Sequence, residues 1–369
     1  MDRVARALAA SAYDFVNSYA INLTDPKWGI DNTETNDAGA AINNALITAY
    51  NLGIRKAYAP AGTYLLETPI RPLPYFNLKG AGKRATIFKV KDNTDINAIE
   101  NNQVLYGSSF RDFSIDGNKT NNTFINGGRA LKLHMDTSVI WNVSAFNVAK
   151  NGLVLNWDEI VSENMGYLNK VFFCDFEDSG EEGVLWGWRT TDSWFCYNNI
   201  GSTGANLSIQ GGTLRVIGNH FDGSPEYNIL VENAGNWLKF SQNIFEAAQK
   251  HGVYFRLPSW EEQSLHVSIS DNIIRNCGSS GAGYDLVHME GYSETAKNAG
   301  VKINNNTMVI DNEQYQARHA IYLSNCEDVS IIGNEFSGFS DANPIGVLGT
   351  TVTNLDVIGN GGKNEITSY

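Results

Sequence analysis

The chain has 369 residues, a formal net charge of −13, 42% hydrophobic residues and 18% charged residues. This hydrophobic fraction is typical of a globular protein with a sizeable core and excludes a disordered chain. The acidic excess argues against the broad basic surface with which proteins hold nucleic-acid phosphates or anionic membranes, so we expect neither partner.

The N-terminal stretch MDRVARALAASAYDF lacks the pattern of a signal peptide, because Arg3 and Arg6 interrupt its short apolar run. No run of 18 apolar residues occurs, so membrane insertion is not expected. The cysteines lack CxxC spacing, which favours buried free thiols over a metal site or a disulfide framework. We predict no metal site and no cofactor. The four cysteines are Cys174, Cys196, Cys277 and Cys326.

The N-terminal part of the chain combines one helix with several strands. Residues 36–51, NDAGAAINNALITAYN, have the spacing of an amphipathic helix with an Asn/Asp start. Residues 56–70, KAYAPAGTYLLETPI, predict two strands around a Pro–Ala–Gly turn, and residues 76–90 and 110–118 continue the strand pattern. We divide the chain into an N-terminal segment with the helix, residues 1–55, and a strand-rich domain, residues 56–369.

A motif of the form apolar–x–apolar–x–x–Asn–x–apolar recurs through the second half of the chain. Copies separated by 20 to 50 residues indicate a solenoid, and alternation with period two indicates strands. A constant strand motif joined by loops of variable length is typical of a parallel β-helix, in which each coil stacks on the previous one. The motif asparagines are Asn199, Asn219, Asn243, Asn272, Asn306, Asn334 and Asn360.

These asparagines have a structural explanation. Asparagine tolerates the left-handed backbone that a corner between two strands requires. Amides stacked one coil above another can also form a hydrogen-bonded ladder along the axis. We therefore predict that the motif asparagines hold the corners and take no part in catalysis.

A second family of short strands precedes the Asn motifs, with apolar residues facing inward. Its outward positions predict a polar column along one side of the solenoid. Residues 286–290 fit two phases, exposing either His288 and Glu290 or Val287 and Met289. The remaining column consists of His134, Asn156, Gly187, Gln210, Glu232, Arg256 and Ser324.

The order of the helix, APAGTYLL, LKGAGKRATIF, FSIDGN and the Asn-marked coils resembles the pectate-lyase superfamily of right-handed β-helices. It is most similar to the branch of bacteriophage tailspikes and capsule depolymerases, over roughly residues 20–360. The resemblance implies an all-β, right-handed, single-stranded parallel β-helix of roughly 9–11 coils, capped by the helix at residues 36–51.

The same resemblance implies a homotrimer that binds and cleaves a bacterial surface polysaccharide, a capsule or an O-antigen. It also implies a virion tail if the protein is phage-encoded, or otherwise a secreted location. Because this fold carries lyases, hydrolases, transferases and isomerases, the chemistry has to be argued from the residues.

Three acids, Glu177, Asp222 and Glu246, fall at corresponding positions of their coils, and Arg275 follows one coil later. Coils stack about 4.8 Å apart, which places the Asp222 and Glu246 carboxyls roughly 5 Å apart and Glu177 about 10 Å from Asp222. Such separations are similar to those of glycosidase carboxyl pairs. Like charges this close raise one pKa and leave one acid protonated. We predict Asp222, Glu246 and Glu177 as catalytic residues of endo-glycoside hydrolysis; the alternative is that they are solvated acids in turns.

Substrate binding is predicted for Glu232, Arg256 and Gln210 of the polar column and for Arg275. Trp237 and Trp260 lie at loop edges, where an indole face can stack on a sugar ring.

Three alternatives stay open. The pair of Glu232 and Arg256 can be a structural ion pair. A polysaccharide lyase would use Arg256, His251, His220 and Tyr254 for β-elimination. A non-catalytic glycan-binding fibre module would need neither set.

Overall fold

The computed structural model describes residues 20–156, 166–232, 236–257, 266–281, 283–293, 296–339, 344–348, 351–361 and 366–368. Strands dominate these ranges, and neighbouring strands of successive coils run parallel. The predicted all-β parallel β-helix is confirmed. The strands form three parallel ladders, which we number in the order in which the chain passes through them from Ile99 onward. The strands before Ile99 belong to the second and third ladders.

The first ladder has eleven strands, at the upper end of the predicted number of coils. They are Ile99–Glu100, Leu131–Leu133, Leu153–Leu155, Val184–Trp186, Leu207–Ile209, Ile229–Glu232, Val253–Arg256, Asp285–Glu290, His319–Ser324, Ile345–Val347 and Ile366–Ser368.

The second and third ladders form one continuous sheet of 24 strands, because two long strands, Ser109–Asp116 and Val139–Phe146, span both. The second ladder also contains Ile21–Asn22, Lys56–Ala59, Asn77–Gly80, Lys170–Phe172, Ser193–Cys196, Leu214–Ile217, Lys239–Ser241, Ser268–Ser270, Asn298–Ala299, Lys302–Asn304, Cys326–Ile332 and Val352–Ile358. The third also contains Thr33–Asp37, Gly62–Leu66, Thr86–Val90, Asp175–Ser179, Asn199–Ser202, His220–Asp222, Ile244–Glu246, Ile273–Arg275, Thr307–Val309 and Glu335–Ser337.

Short elements complete the described part. Two pairs of two-residue strands lie at the turns: Leu105–Tyr106 with Met135–Asp136, and Gly166–Tyr167 with Thr190–Thr191. Two 3₁₀ turns span Pro26–Trp28 and Lys119–Asn121.

The core fills the inside of the coils, because alternate residues of each strand point inward. Phe195, Phe221 and Phe245, on the second and third ladders, are fully buried and lie at centroid distances of 6.4 and 5.1 Å along the stack. One apolar cluster runs from Ile21 to Val347. Because the inward side chains of successive coils pack on one another and form the core, the outward positions can hold polar and titratable side chains.

The predicted asparagine ladder exists, but its first member is Asn198 and not Asn199. The amide of Asn198 and its backbone N–H donate to the Asn219 Oδ1 at 3.0 and 2.9 Å, and Asn219 repeats both bonds to Asn243. The pattern continues through Asn272, Asn306, Asn334 and Asn360. Asn199 is exposed and bonds to Asp175 instead.

The left-handed backbone also lies one residue earlier than predicted. The residue just before the ladder asparagine has a positive φ, for example Gln242 (58°) and Asp271 (60°). In two coils this residue is a glycine, Gly218 or Gly333. Two successive residues therefore form each corner. The first adopts the left-handed backbone, and the second places its side-chain amide in the ladder.

The helix spans Gly39–Asn51, three residues shorter than predicted at its start. The Asp37 carboxylate precedes it and accepts hydrogen bonds from the backbone N–H groups of Gly39 and Glu67. A Cβ at Gly39 would lie 2.0 Å from the Thr68 carbonyl oxygen, so a close approach of two backbones fixes the start of the helix. The buried face contains Ile42, Ala45, Leu46 and Ala49.

Residues before position 55 already contribute to the coils. Ile21–Asn22 pairs with Ala57 and Tyr58, and Thr33–Asp37 pairs with Gly62–Leu66. The division at residue 55 stays a prediction about folding units. Within the described ranges, no helix has the length and apolarity needed to span a membrane.

Candidate active site

The predicted carboxylates lie on the third ladder in the expected register. Asp222 is the direct neighbour of Glu246, and Glu246 is the neighbour of Arg275. Glu177 pairs with Gly201, which lies in the coil before Asp222, so Glu177 and Asp222 are two coils apart. The structure thus brings the three predicted acids to one face.

The contacts of Glu246 determine which protonation state this carboxyl takes. Its Oε1 is 3.0 Å from the His220 Nε2, and its Oε2 accepts from the Arg275 Nε at 2.5 Å. Partial burial acts to raise the pKa of Glu246, but the hydrogen bonds from His220 and Arg275 outweigh it and lower the pKa. Glu246 is therefore an ionised member of the predicted stack, and Arg275 is an ion-pair partner of this carboxylate.

Between Glu177 and Asp222 the stack has a gap. Gly201 occupies the intervening coil, and a Cβ there would meet nothing closer than the Asp222 carbonyl oxygen at 3.4 Å. The missing side chain opens a cavity of about 300 Å³, lined by Glu177, Gly201, Asp222 and His220 among others. This cavity is the space that a ligand could occupy on the third ladder.

The first ladder carries a denser set of titratable side chains. The strand Asp285–Glu290 exposes His288 and Glu290 outward, while Val287 and Met289 are fully buried. The phase that the sequence left open is thus settled in favour of the histidine. Tyr254, His288 and Tyr322 are neighbours in one outward row, and Arg256, Glu290 and Ser324 are neighbours in the next.

Asp285 is the buried anion of this group, with a side chain that is 0% exposed. It accepts from the His288 Nδ1 at 2.7 Å, from the Arg318 Nε and Nη2 at 3.2 and 2.9 Å, and from the His319 backbone N–H at 3.1 Å. Burial alone would raise the pKa of Asp285, but the bonds from His288 and Arg318 hold it below its ordinary value. The carboxylate therefore stays ionised and fixes the imidazole of His288.

That bond determines which nitrogen of His288 is left without a strong hydrogen-bond partner among the described residues. Nδ1 faces Asp285, so Nε2 points toward the row that contains Glu290, whose Oε2 is 3.9 Å away. A carboxylate that holds Nδ1–H leaves Nε2 with a lone pair, which is the arrangement of a general base.

His251 is held in the neutral form. Its Nδ1 accepts the Asp285 backbone N–H at 2.9 Å, and its ring lies 4.4 Å from that of His288. Burial, and then the nearby His288, lower the pKa of His251 to about 3. The side chain therefore offers an uncharged Nε2–H beside His288.

Tyr254 adds a proton donor to the same face. Its hydroxyl donates to the Glu290 Oε2 at 3.1 Å, and its ring packs edge-on against that of His288 at 5.1 Å. Burial and the Glu290 carboxylate raise the pKa of Tyr254, so the phenol keeps its proton. Beside Tyr254, Arg256 forms an ion pair with Glu232, which is one of the alternatives that the sequence left open. The Arg256 side chain is 48% exposed.

Three ligand-type groups, His251, Asp285 and His288, come within 4.8 Å of one another. Their mutually facing atoms are engaged, because Asp285 accepts from His288 and Arg318 while His251 Nδ1 accepts a backbone N–H. A metal ion would also have to displace the Arg318 guanidinium. The donor set therefore fits an ion-paired hydrogen-bond network better than a metal site.

The other predicted binding residues lie elsewhere. Gln210 follows the strand Leu207–Ile209 next to Glu232 and extends the polar column. Trp237 is 62% exposed and belongs to the turn before the second ladder, away from both sets of acids. Trp260 lies outside the described residues.

Sequence reasoning missed Asp285, Arg318 and His319. The signal was present in YDLVHME and ARHAIYL, two successive first-ladder strands that begin with charged or imidazole side chains. Their variable loops concealed the register that places Asp285 directly opposite His319.

The buried neutral His251 predicts a pH dependence of stability. Its pKa is about 3 in the folded chain and 6.5 ordinarily, so between these values only the unfolded chain binds the proton. Stability should therefore fall as pH decreases below about 6.5, by at most about 1.4 kcal/mol per pH unit. His251→Gln keeps an acceptor for the Asp285 N–H. Between pH 7 and pH 5 the urea concentration at the midpoint of unfolding should fall less in this variant than in wild type. His266→Gln, at an exposed histidine, is the control; equal losses in wild type and His251→Gln would contradict the prediction.

A comparison with known protein families gives a match for the chain. The sequence model of the family described as rhamnogalacturonase A/epimerase, pectate lyase-like, matches residues 20–282. A comparison with curated proteins gives no match.

Solved structures share the fold at low identity. The surface adhesin PfbA of Streptococcus pneumoniae superimposes with a TM-score of 0.72 at 13% identity, over 94% of this chain and 93% of that one. The A-module of the mannuronan C-5 epimerase AlgE6 of Azotobacter vinelandii gives 0.64 at 16%, over 91% and 99%. The Dettilon tailspike protein gives 0.56 at 10%, over 92% and 68%. The family match and these folds agree with the resemblance seen in the sequence: the chain belongs to the rhamnogalacturonase A/epimerase, pectate lyase-like family.

Proposed function

We propose that the protein is a polysaccharide-acting enzyme that abstracts the C5 proton of a uronate residue on its first ladder. The observation that carries the proposal is the Asp285–His288 pair, which directs the His288 Nε2 to the outward row that contains Arg256 and Glu290. The product is an unsaturated chain end if the C4–O bond breaks, or the C5 epimer if a proton returns to the opposite face.

Each residue has a definite role in this proposal. His288 Nε2 takes the C5 proton, and Asp285 holds the resulting imidazolium, while Arg318 keeps Asp285 ionised. Tyr254 supplies the proton that the leaving oxygen receives, because its hydroxyl lies on the same outward face as the His288 ring, and solvent supplies the proton that reaches the opposite face of C5. Arg256 neutralises the uronate carboxylate, whose charge would otherwise oppose carbanion formation.

The comparisons support a polysaccharide substrate without choosing the reaction. The family description names a rhamnogalacturonase and an epimerase, and one fold relative is a mannuronan C-5 epimerase. These names fit a first-ladder site that handles acidic sugars.

The test is incubation of the protein in deuterated water with a panel of uronate-containing bacterial polysaccharides and with polygalacturonate. C5 abstraction predicts deuterium at C5, or ultraviolet absorbance from a new 4,5-double bond. Both signals should vanish with His288→Gln. New reducing ends with neither signal would reject the proposal and indicate hydrolysis.

Glycoside hydrolysis on the third ladder is the second candidate. The Gly201 gap favours it, because it leaves a cavity of about 300 Å³ between Glu177 and Asp222. In that case Asp222, Glu246 and Glu177 would act on a bacterial surface polysaccharide, and the ionised Glu246 could serve only as base or nucleophile.

Filling the gap separates the two candidates. Gly201→Gln places a side chain between Glu177 and Asp222 at a position with ordinary backbone and free space. We expect activity within about twofold of wild type, because the first ladder is untouched. Gly201→Ala is the matched control. A loss of more than tenfold in Gly201→Gln alone would move the active site to the third ladder.

The biological setting proposed from the sequence remains a proposal: a homotrimer on a virion tail or an extracellular surface, acting on a capsule or an O-antigen. A tailspike and a surface adhesin among the fold relatives support that setting. Sedimentation equilibrium would give the oligomeric state, with a trimer as the expected result.

A further inference from the structure

A groove beside the second ladder takes no part in the chemistry above, and we infer that it binds a stretch of an anionic polysaccharide chain. We define it as the basic groove, formed by Arg215, Lys239, Lys302, Trp237 and His266. The inference rests on this groove alone and does not depend on which ladder is catalytic.

The groove follows the axis of the solenoid. It encloses about 730 Å³. Arg215 is the direct ladder neighbour of Lys239, Ser268 follows, and Lys302 is next. At about 4.8 Å per coil, the three cations extend over about 14 Å, so they match a linear ligand better than a single small anion.

The charge of the groove is opposite to that of the protein. Of its described lining residues, Asp192 alone is a carboxylate, whereas the chain as a whole carries a net charge of −13. Within the described ranges, none of Arg215, Lys239 and Lys302 forms an ion pair with a carboxylate. Arg215 and Lys239 are like charges on adjacent strands, an arrangement that destabilises a sheet unless an anion lies between them.

An aromatic wall completes the groove. Trp237 and His266 stack with ring centroids 4.2 Å apart, and 62% of the tryptophan is exposed. Further along the same row, Arg215 lies over the Trp194 ring at 5.2 Å. Sugar rings have an apolar face that packs on an indole, while their carboxylates or sulfates reach the cations. An exposed indole beside a row of cations that have no carboxylate partner among the described residues therefore selects an acidic glycan over a neutral one.

The experiment is calorimetric titration of the full chain with polygalacturonate oligomers and with uncharged dextran oligomers. The titrations are made in the His288→Gln/Glu246→Gln background, which removes turnover on either candidate ladder and leaves the basic groove intact, since both residues lie on other ladders. We expect Arg215→Gln/Lys239→Gln to bind polygalacturonate about tenfold more weakly or to lose one site per chain. Trp237→Ala should also weaken binding, and dextran should bind at least tenfold more weakly than polygalacturonate.

The matched control removes the same charge elsewhere on the second ladder. Lys56→Gln/Lys79→Gln alters two exposed lysines far along the axis and should leave the isotherm unchanged. An unchanged isotherm for the groove variant would overturn the inference. Inorganic phosphate binding as tightly as the oligomer would overturn it in favour of a small-anion site. A change of sedimentation mass in the groove variant would assign the groove to contact with a second copy.

Discussion

Substituting His288 by glutamine should lower kcat/KM on the polysaccharide substrate by about a hundredfold to ten-thousandfold, the usual contribution of a positioned general base. The loss follows because a glutamine amide has no lone pair on nitrogen to take the C5 proton. Asp285→Asn should give a loss of similar order, since an amide no longer holds the Nδ1–H tautomer or the Arg318 guanidinium. The measurements are initial rates of double-bond formation and of deuterium incorporation at C5.

Glu246→Gln is the control for that prediction. It removes a carboxylate that is equally ion-paired but lies on the third ladder, so the rates should stay within about twofold of wild type. Full activity in His288→Gln with an unchanged melting temperature would refute the first-ladder mechanism, because that variant removes the base and leaves the fold intact.

Replacing Asn272 by alanine should destabilise the protein by about 3–5 kcal/mol, because it leaves several buried polar groups unsatisfied. The Asn272 Oδ1 accepts from the backbone N–H and the Nδ2 of Asn243 at 2.9 and 3.0 Å. Its own Nδ2 donates to the Phe240 carbonyl and to the Asn306 Oδ1 at 3.1 and 2.9 Å. The side chain is 1% exposed, so water cannot replace these partners. The midpoint of urea unfolding measures the effect.

Asn199→Ala tests the register of the ladder at the same time. Asn199 is exposed, and among the described residues its side chain bonds only to Asp175, at 3.2 Å, so its loss should cost about 0.5 kcal/mol or less. If Asn199→Ala and Asn272→Ala shifted the midpoint equally, the assignment of Asn198 to the ladder would be wrong.

Much of the fold could be predicted because it depends on local patterns. The alternation of apolar residues, the recurring asparagine and the variable spacing each indicate stacked coils. The exact first residues of the helix and of the asparagine ladder depend on contacts between residues that are distant in sequence. The helix starts at Gly39 because its backbone meets Thr68, a contact that is distant in sequence. The ladder takes Asn198 because Asn219 presents its Oδ1 to the backbone and side-chain amides of that residue.

The candidate site was only partly predictable. The sequence aligned Asp222, Glu246 and Arg275, but the electrostatics of Glu246 depend on His220, whose ring reaches across one coil. The sequence also identified Tyr254, Arg256 and His251 as a rival set. It did not identify Asp285 as the group that organises them.

The sequence by itself determined the architecture of this protein: a chain of coils with an apolar interior and asparagine corners, since each coil repeats the same short-range pattern. Tertiary structure alone decided which side chains meet. Asp285 lies 33 residues before Arg318 and 34 after His251, yet the three are in contact because loops of different length still return each strand to the same ladder. A repeating sequence pattern does not reveal how loops of different length align the strands. The register between strands of successive coils brings separate titratable residues together in one site.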